Sequence, residues 1–231
     1  EEINRVLTDQ IADLLFTPSA DGDANLLREG VAATKIHRVG NVMIDTLVRL
    51  LPAAATCWET ERLRPWQDRP YALVTLHRPA NVDDPTMLGG LLSALAAIGR
   101  RLPVLFPVHP RTRQRLEDFG LGTAWPGLHL LEPLSYLEFL ALQTRATLVI
   151  TDSGGIQEET TYLGIPCLTV RDNTERPITV DMGTNILVGR DPARLQAEAY
   201  RILDGDVKTG CVPPLWDGRA GERVAAILAR S

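Results

Sequence analysis

Five short stretches concentrate the side chains that can hold or move charge: TLHRP (75–79), FPVHPR (106–111), EPLSYLEF (132–139), TDSGGIQEE (151–159) and RDNTERP (171–177). In the fourth, an apolar run ends in a small polar turn, and Gly154 and Gly155 open what reads as a helix. Such a helix start points unpaired N–H groups and the positive end of its dipole at whatever lies above the strand. Glycines let an anion approach the backbone, and Ser153 can add a hydroxyl donor. The competing explanation is a turn that needs glycine only for its positive φ. The pattern is neither GxGxxG nor GxxxxGK[ST], so no dinucleotide or Walker-type site is indicated.

Glu158 and Glu159 follow on the first turns of that helix. One can serve as a dipole partner. The other can accept from two neighbouring sugar hydroxyls, since a carboxylate has two acceptor oxygens, provided it is aimed away from any phosphate. Arg171 or Arg176 can bind a diphosphate in bidentate fashion or sit in a surface ion pair. His77 and Arg78 close a strand-like run ahead of Pro79, and His109 is placed similarly. Each histidine can be a proton or phosphate donor, or a hydrogen-bonded structural residue. His37 and His129 fall inside strand-like runs and read as structural. Tyr136 and Phe139 read as core residues, or as rings near the rim that stack on a base.

The elements that must position these groups are legible. Strand-like runs at 71–76, 102–108, 128–133, 147–152, 165–170 and 184–189 alternate with helical patterns. Asp84 with Pro85, and Ser135 with Glu138, supply helix-start chemistry, and Gly120 a helix stop. Short apolar strands separated by helices argue a doubly wound parallel α/β sheet covered on both faces, spanning 38–205. In such sheets ligands bind beyond the carboxyl ends of the strands, where the histidines, arginines and SGG turn fall. Residues 1–37 read as the tail of a preceding α/β unit, and 206–231 as a tail with a helix. The stretch 52–69 lacks an apolar period and reads as a loop. The chain opens inside an amphipathic pattern (Ile3, Leu7, Ile11, Leu14), as the interior of a longer chain would.

The whole chain of 231 residues carries a net charge of −5 without a basic run, which argues against a nucleic-acid surface. No run of about 18 apolar residues exists, so no membrane-spanning helix is expected. Three scattered cysteines (Cys57, Cys167, Cys211) form no ligand cluster and fit reduced thiols in a cytoplasm.

With these five motifs in this order, the chain resembles the UDP-N-acetylglucosamine 2-epimerases from EEINR to WDGRAGERVAAIL. The resemblance implies a GT-B architecture, of which this chain is the C-terminal Rossmann-like domain plus the end of the N-terminal one. It implies that Ser153, Gly154 and Gly155 hold the diphosphate, Glu159 the ribose hydroxyls, and Phe139 lies by the uracil. His77, also a catalytic candidate, and Arg176 would contact the diphosphate side. Glu1 matches a catalytic carboxylate, and Arg78 and His109 match a second, regulatory nucleotide-sugar site. The implied reaction interconverts UDP-N-acetylglucosamine and UDP-N-acetylmannosamine by loss of UDP and re-addition with inversion at C2. UDP and UDP-N-acetylhexosamines are the implied ligands, with no cofactor and no metal, in a homodimer at full length. Pro79-Ala80 depart from the charged residues common at that place in the family. Because the first domain and its acidic residues would precede Glu1, these 231 residues are expected to bind UDP without turning over. A GT-B glycosyltransferase domain or a non-catalytic nucleotide-sugar module remain the alternatives.

Overall fold

The spacing of apolar residues at the amino end gives an amphipathic helix, α1 (Glu2–Ile11), in the computed structural model, which describes residues 2–122 and 125–230. Its stripe of Ile3, Leu7 and Ile11 is 77%, 59% and 81% exposed. Arg5 on the same helix pairs with Glu2, Asp9 and Glu29. Then come β1 (Leu15–Thr17), α2 (Ala20–Arg28), β2 (Ile36–Arg38) and α3 (Val42–Thr56). Strands β1 and β2 are parallel, with Leu15 opposite Ile36, and a small cluster of Leu15, Leu26 and Val31 lies beside them.

The reading of 52–69 as a loop is corrected. Helix α3 runs on through Pro52 to Thr56, and short 3-10 turns follow at Cys57–Glu59 and Arg64–Trp66. Pro52 is exposed, so water can take the carbonyl its missing N–H leaves unpaired, and Ala53–Ala55 favour the helix.

Six strands form one parallel sheet: β3 (Ala72–Thr75), β4 (Val104–Pro107), β5 (Leu128–Leu131), β6 (Leu148–Thr151), β7 (Cys167–Thr169) and β8 (Asn185–Leu187), in the order β5-β4-β3-β6-β7-β8. The helices between them are α4 (Pro79–Val82), α5 (Pro85–Gly99), α6 (Pro110–Asp118), α7 (Tyr136–Arg145), α8 (Gly154–Leu163) and α9 (Pro177–Asp181), with α10 (Pro192–Leu203) after β8. Alternate residues Ala72, Val74, Val104, Phe106, Leu148 and Ile150 join Leu88, Leu91, Leu92 and Leu95 of α5 and Leu195 of α10 in one core. The intervening Leu73, Leu105, Val149 and Cys167 are equally buried, which explains why these strands read as continuous apolar runs.

The helix starts follow the chemistry in the sequence. The Asp84 carboxylate accepts from Met87 N at 2.7 Å, and Ser135 and Glu138 form a reciprocal capping box. Gly120, at φ +65°, follows the end of α6. The chain ends in α11 (Ala220–Leu228), whose first N–H groups at Ala220 and Gly221 donate to Asp45 on α3. The described residues divide into two units, 2–49 with 212–230, and Leu50–Cys211.

Gly127 precedes β5 at φ +74°, and a Cβ there would lie 2.2 Å from the Gly99 carbonyl oxygen. Gly127→Ala is therefore expected to destabilise the fold by at least about 2 kcal/mol, read from denaturant unfolding.

Candidate functional site

All six strands of the sheet run the same way, so their carboxyl ends share one edge, and the predicted site residues of that unit gather there. His77 lies just past β3, His109 caps α6, Phe139 sits on α7 and Ser153 caps α8; all four line one cavity of about 420 Å³. Its walls also include Pro133, Tyr136 and Ile156, so an apolar slot meets a few polar groups. The His77 and His109 rings are 5.5 Å apart, and His109 Nδ1 accepts from Arg111 N at 3.2 Å.

Asp152, at the tip of β6, ties this edge together. It is fully buried. Its carboxylate accepts from the backbone N–H of His77 at 3.0 Å, from that of Arg78 at 2.9 Å and from Asn81 Nδ2 at 3.0 Å. His77 Nδ1 lies 2.9 Å from Oδ1, and Arg78 Nε donates to the Asp152 carbonyl at 2.9 Å. Burial alone would raise the Asp152 carboxyl, but the donors from His77, Arg78 and Asn81 outweigh it and hold it below its ordinary value. The same hydrogen bond raises the His77 imidazole above its ordinary value, against desolvation. The Asp152 hydrogen bond thus orients the His77 ring beside the cavity and favours its protonated form.

The turn into α8 discriminates between the two explanations for its glycines. Neither Gly154 nor Gly155 has a positive φ, and a Cβ built on either would meet nothing within 4 Å. The backbone therefore does not require glycine there, and the space above the helix start is open. Ser153 occupies the capping position without a side-chain hydrogen bond to the helix, so its hydroxyl does not close the end of α8.

The acidic pair lies a full turn beyond the helix start, deeper than a simple dipole partner. Both residues are buried. Glu158 pairs with Arg176 Nε at 2.8 Å, and Arg176 caps α9. Glu159 Oε1 accepts from the Tyr136 hydroxyl at 2.8 Å, while Oε2 is buried without a hydrogen-bond partner among the described residues. Burial pushes the Glu159 carboxyl above its ordinary range despite Tyr136. Of the two readings for Tyr136, core or rim, the structure favours the rim: it is 40% exposed on the cavity wall, with its hydroxyl turned to Glu159. Phe139 is the half-buried ring beside it. The guanidinium fork of Arg171 is held by both oxygens of Glu175, four residues on. Arg78 lines a second cavity with Asn81, Arg171 and Arg190, whereas His109 lines the first. Glu1 lies outside the described residues.

Sequence reasoning placed Asp152 at the rim but gave it no role, and gave none to Asn81. The signal was a carboxylate directly before SGG, at the one position where a buried acid can reach the neighbouring strand's exit. Among the described residues no group of three His, Cys, Asp or Glu side chains is placed to hold a metal ion.

Asp152→Asn keeps the shape but removes the anion. The His77 pKa is expected to fall, measured by NMR titration of its ring. Stability is expected to drop by about 2–4 kcal/mol at neutral pH. The sign is fixed at both ends. His77, raised in the fold, contributes fully below about 6.5 and loses its contribution as pH rises through its folded value. Asp152, lowered in the fold, contributes above about 3.8 and loses its contribution as pH falls. The difference from the native chain should therefore be largest between these limits, and a pH-independent difference would refute the pairing.

The sequence profile described as UDP-N-acetylglucosamine 2-epimerase matches residues 1–229. The UDP-N-acetylglucosamine 2-epimerase of Methanococcus maripaludis is 39% identical over 99% of the chain, covering 64% of its own length. The UDP-2,3-diacetamido-2,3-dideoxy-D-glucuronate 2-epimerase of Pseudomonas aeruginosa is 38% identical over 100% of the chain and 63% of its length. The crystal structure of Methanocaldococcus jannaschii UDP-GlcNAc 2-epimerase in complex with UDP-GlcNAc and UDP superposes with a TM-score of 0.87 at 40% identity, over 100% of this chain and 65% of that one. The chain thus spans somewhat less than two thirds of these relatives. With the family profile covering nearly every residue, the chain belongs to the UDP-N-acetylglucosamine 2-epimerase family.

Proposed function

We propose that these residues form the UDP-binding half of a UDP-N-acetylglucosamine 2-epimerase. The observation that carries the reading is the open start of α8, where Gly154 and Gly155 leave room for a ligand atom against the backbone. A diphosphate placed there meets the N–H groups of the helix, the Ser153 hydroxyl and, from the side, the His77 ring, whose protonated form Asp152 favours. Departing UDP gains negative charge as its bond to C1 of the sugar breaks, and such fixed donors stabilise that charge. The C2 proton leaves in the same elimination and returns from the opposite face when UDP adds back. A group that removes it must lie within hydrogen-bond reach of C2. In this reading Arg176 approaches the diphosphate from the side, and Glu1 belongs to the proton-transfer machinery that the rest of the relatives' length completes.

The nucleoside fits the cavity wall. Phe139 and Tyr136 offer ring faces for uracil. The buried Glu159 has one oxygen without a donor among the described residues, which a ribose hydroxyl can satisfy. The relatives named for two different UDP sugars support a shared UDP grip, with the sugar set elsewhere.

Two expected outcomes follow from this reading. Calorimetry with UDP should show binding to the 231-residue chain, and Glu159→Gln should weaken it by about 1.5–3 kcal/mol with thermal unfolding little changed. An unaltered affinity would reduce Glu159 to a structural residue. Incubation of the chain with UDP-N-acetylglucosamine should give no UDP-N-acetylmannosamine, and robust epimerisation would overturn the division of labour proposed here.

A further inference from the structure

The loop from Arg171 to Arg176 is fastened to α8 by a directed chain of hydrogen bonds. The Arg176 backbone N–H donates to Thr174 Oγ1 at 3.0 Å. The Thr174 hydroxyl donates to Gln157 Oε1 at 2.6 Å. Gln157 Nε2 donates to the Ser153 carbonyl at 3.1 Å. The direction of each step is fixed. The Ser153 carbonyl can only accept, so Nε2 of the Gln157 amide faces it and Oε1 faces Thr174. Oε1 can only accept, so the Thr174 proton points to it and a lone pair of Oγ1 remains for Arg176. Gln157 is fully buried, and Asn185 Nδ2 donates to its backbone carbonyl at 2.9 Å, so the amide hangs from a backbone that is itself held.

The chain begins and ends at two residues to which the proposed function gives a part in ligand binding. Ser153 caps α8 and lines the first cavity. Arg176 caps α9, and α8 also holds its guanidinium, through Glu158 at 2.8 Å from Nε. The Arg176 carbonyl is fixed as well, since Thr179 Oγ1 donates to it at 2.7 Å. Backbone and side chain of Arg176 are thus both referred to α8, while 44% of the side chain stays exposed. A long side chain on a loop loses rotamer and backbone freedom when it grips a ligand; fixing its root and its guanidinium beforehand lowers that entropic cost.

We infer that Thr174 and Gln157 are positioning residues for diphosphate recognition, setting Arg176 in register with the start of α8 so that the two grip successive phosphates. The inference rests on the proposed function, which brings a diphosphate to that helix start with Arg176 beside it. It adds two residues that act through others: Gln157 is buried, and Thr174 engages its hydroxyl with its neighbours. Because Thr174 acts on Arg176, its effect is selective. A phosphate at the α8 start keeps its N–H donors when the latch is cut, whereas the second phosphate loses an oriented guanidinium. The latch therefore sets the preference for a nucleoside diphosphate over a monophosphate.

Calorimetry of the 231-residue chain with UDP and with UMP, in native, Thr174→Val and Thr174→Ser forms, tests this. The native chain is expected to bind UDP more tightly than UMP. T174V keeps the shape and removes the hydroxyl; it should weaken UDP about tenfold and UMP less than about twofold. T174S restores the hydroxyl and should return the UDP affinity. In an Arg176→Gln background T174V should cost nothing further, because its effect runs through Arg176. Thr174 is a half-buried loop residue, so thermal unfolding should stay near native; should T174V fail to fold, Thr174→Ala makes the same cut in a smaller volume. Equal losses for UDP and UMP, an undiminished loss in the R176Q background, no recovery in T174S, or a UDP affinity unchanged by T174V would each overturn the inference and leave the UDP site standing. No UDP binding by the native chain would instead sink the proposed function, and this inference with it.

Discussion

One buried carboxylate organises the ligand edge of the sheet. Asp152 ends β6, and its oxygens collect donors from the exit of the adjacent strand β3: two backbone N–H groups, one side-chain amide and one imidazole. A buried charge with so many donors is stable only while all of them stay in place. The turn after β3 and the turn after β6 are thereby locked to each other, and the orientation of His77 follows from that lock. Without it the imidazole would be one more mobile side chain at a strand end, with no fixed proton position to offer a reaction.

Around that anchor the edge divides its polar chemistry. On one side an open helix start, two histidines and two aromatic rings surround an apolar slot. On the other, three arginines and the Asn81 amide make a polar one. Both cavities use strand exits rather than strand interiors, because only there can backbone N–H groups and side chains converge without disturbing a core filled on both faces of the sheet. The acidic pair of α8 shows the same economy. Glu158 is neutralised by Arg176, whereas Glu159, one position on, has the neutral Tyr136 hydroxyl and Gln143 amide beside it and keeps one buried oxygen without a hydrogen bond among the described residues. Evenly satisfied carboxylates serve structure; an uneven one stores a demand that a ligand hydroxyl can meet.

Much of this was legible from the residues. The six strands, their capped helices and the parallel class follow from apolar runs, Asp84-Pro85, and Ser135 with Glu138, because burial on both faces and helix-start chemistry are local in sequence. The rim placement of His77, His109 and the SGG turn followed from the rule that such sheets bind ligands at their carboxyl ends. What misled was also local. Pro52 and a missing period suggested a loop, although an exposed proline can be carried by a helix whose outer carbonyl meets water. For Tyr136 the sequence left core packing and a rim position both open. Its hydroxyl reaches across 23 residues of chain to Glu159, which spacing cannot show.

The sequence by itself determined the element order, the sheet class and the family, since each rests on patterns within a few residues or on motifs in fixed succession. Only the tertiary structure decided that Gly154 and Gly155 are not needed for backbone conformation, that Arg171 is already gripped by Glu175, that Arg78 and His109 face different cavities, and that Asp152 is the anchor. Each of these depends on which strand lies beside which. In a sheet ordered β5-β4-β3-β6-β7-β8 the decisive neighbours, β3 and β6, are separated by two strands and more than seventy residues of chain. Hydrogen bonds over that span come from packing, and no local period encodes them.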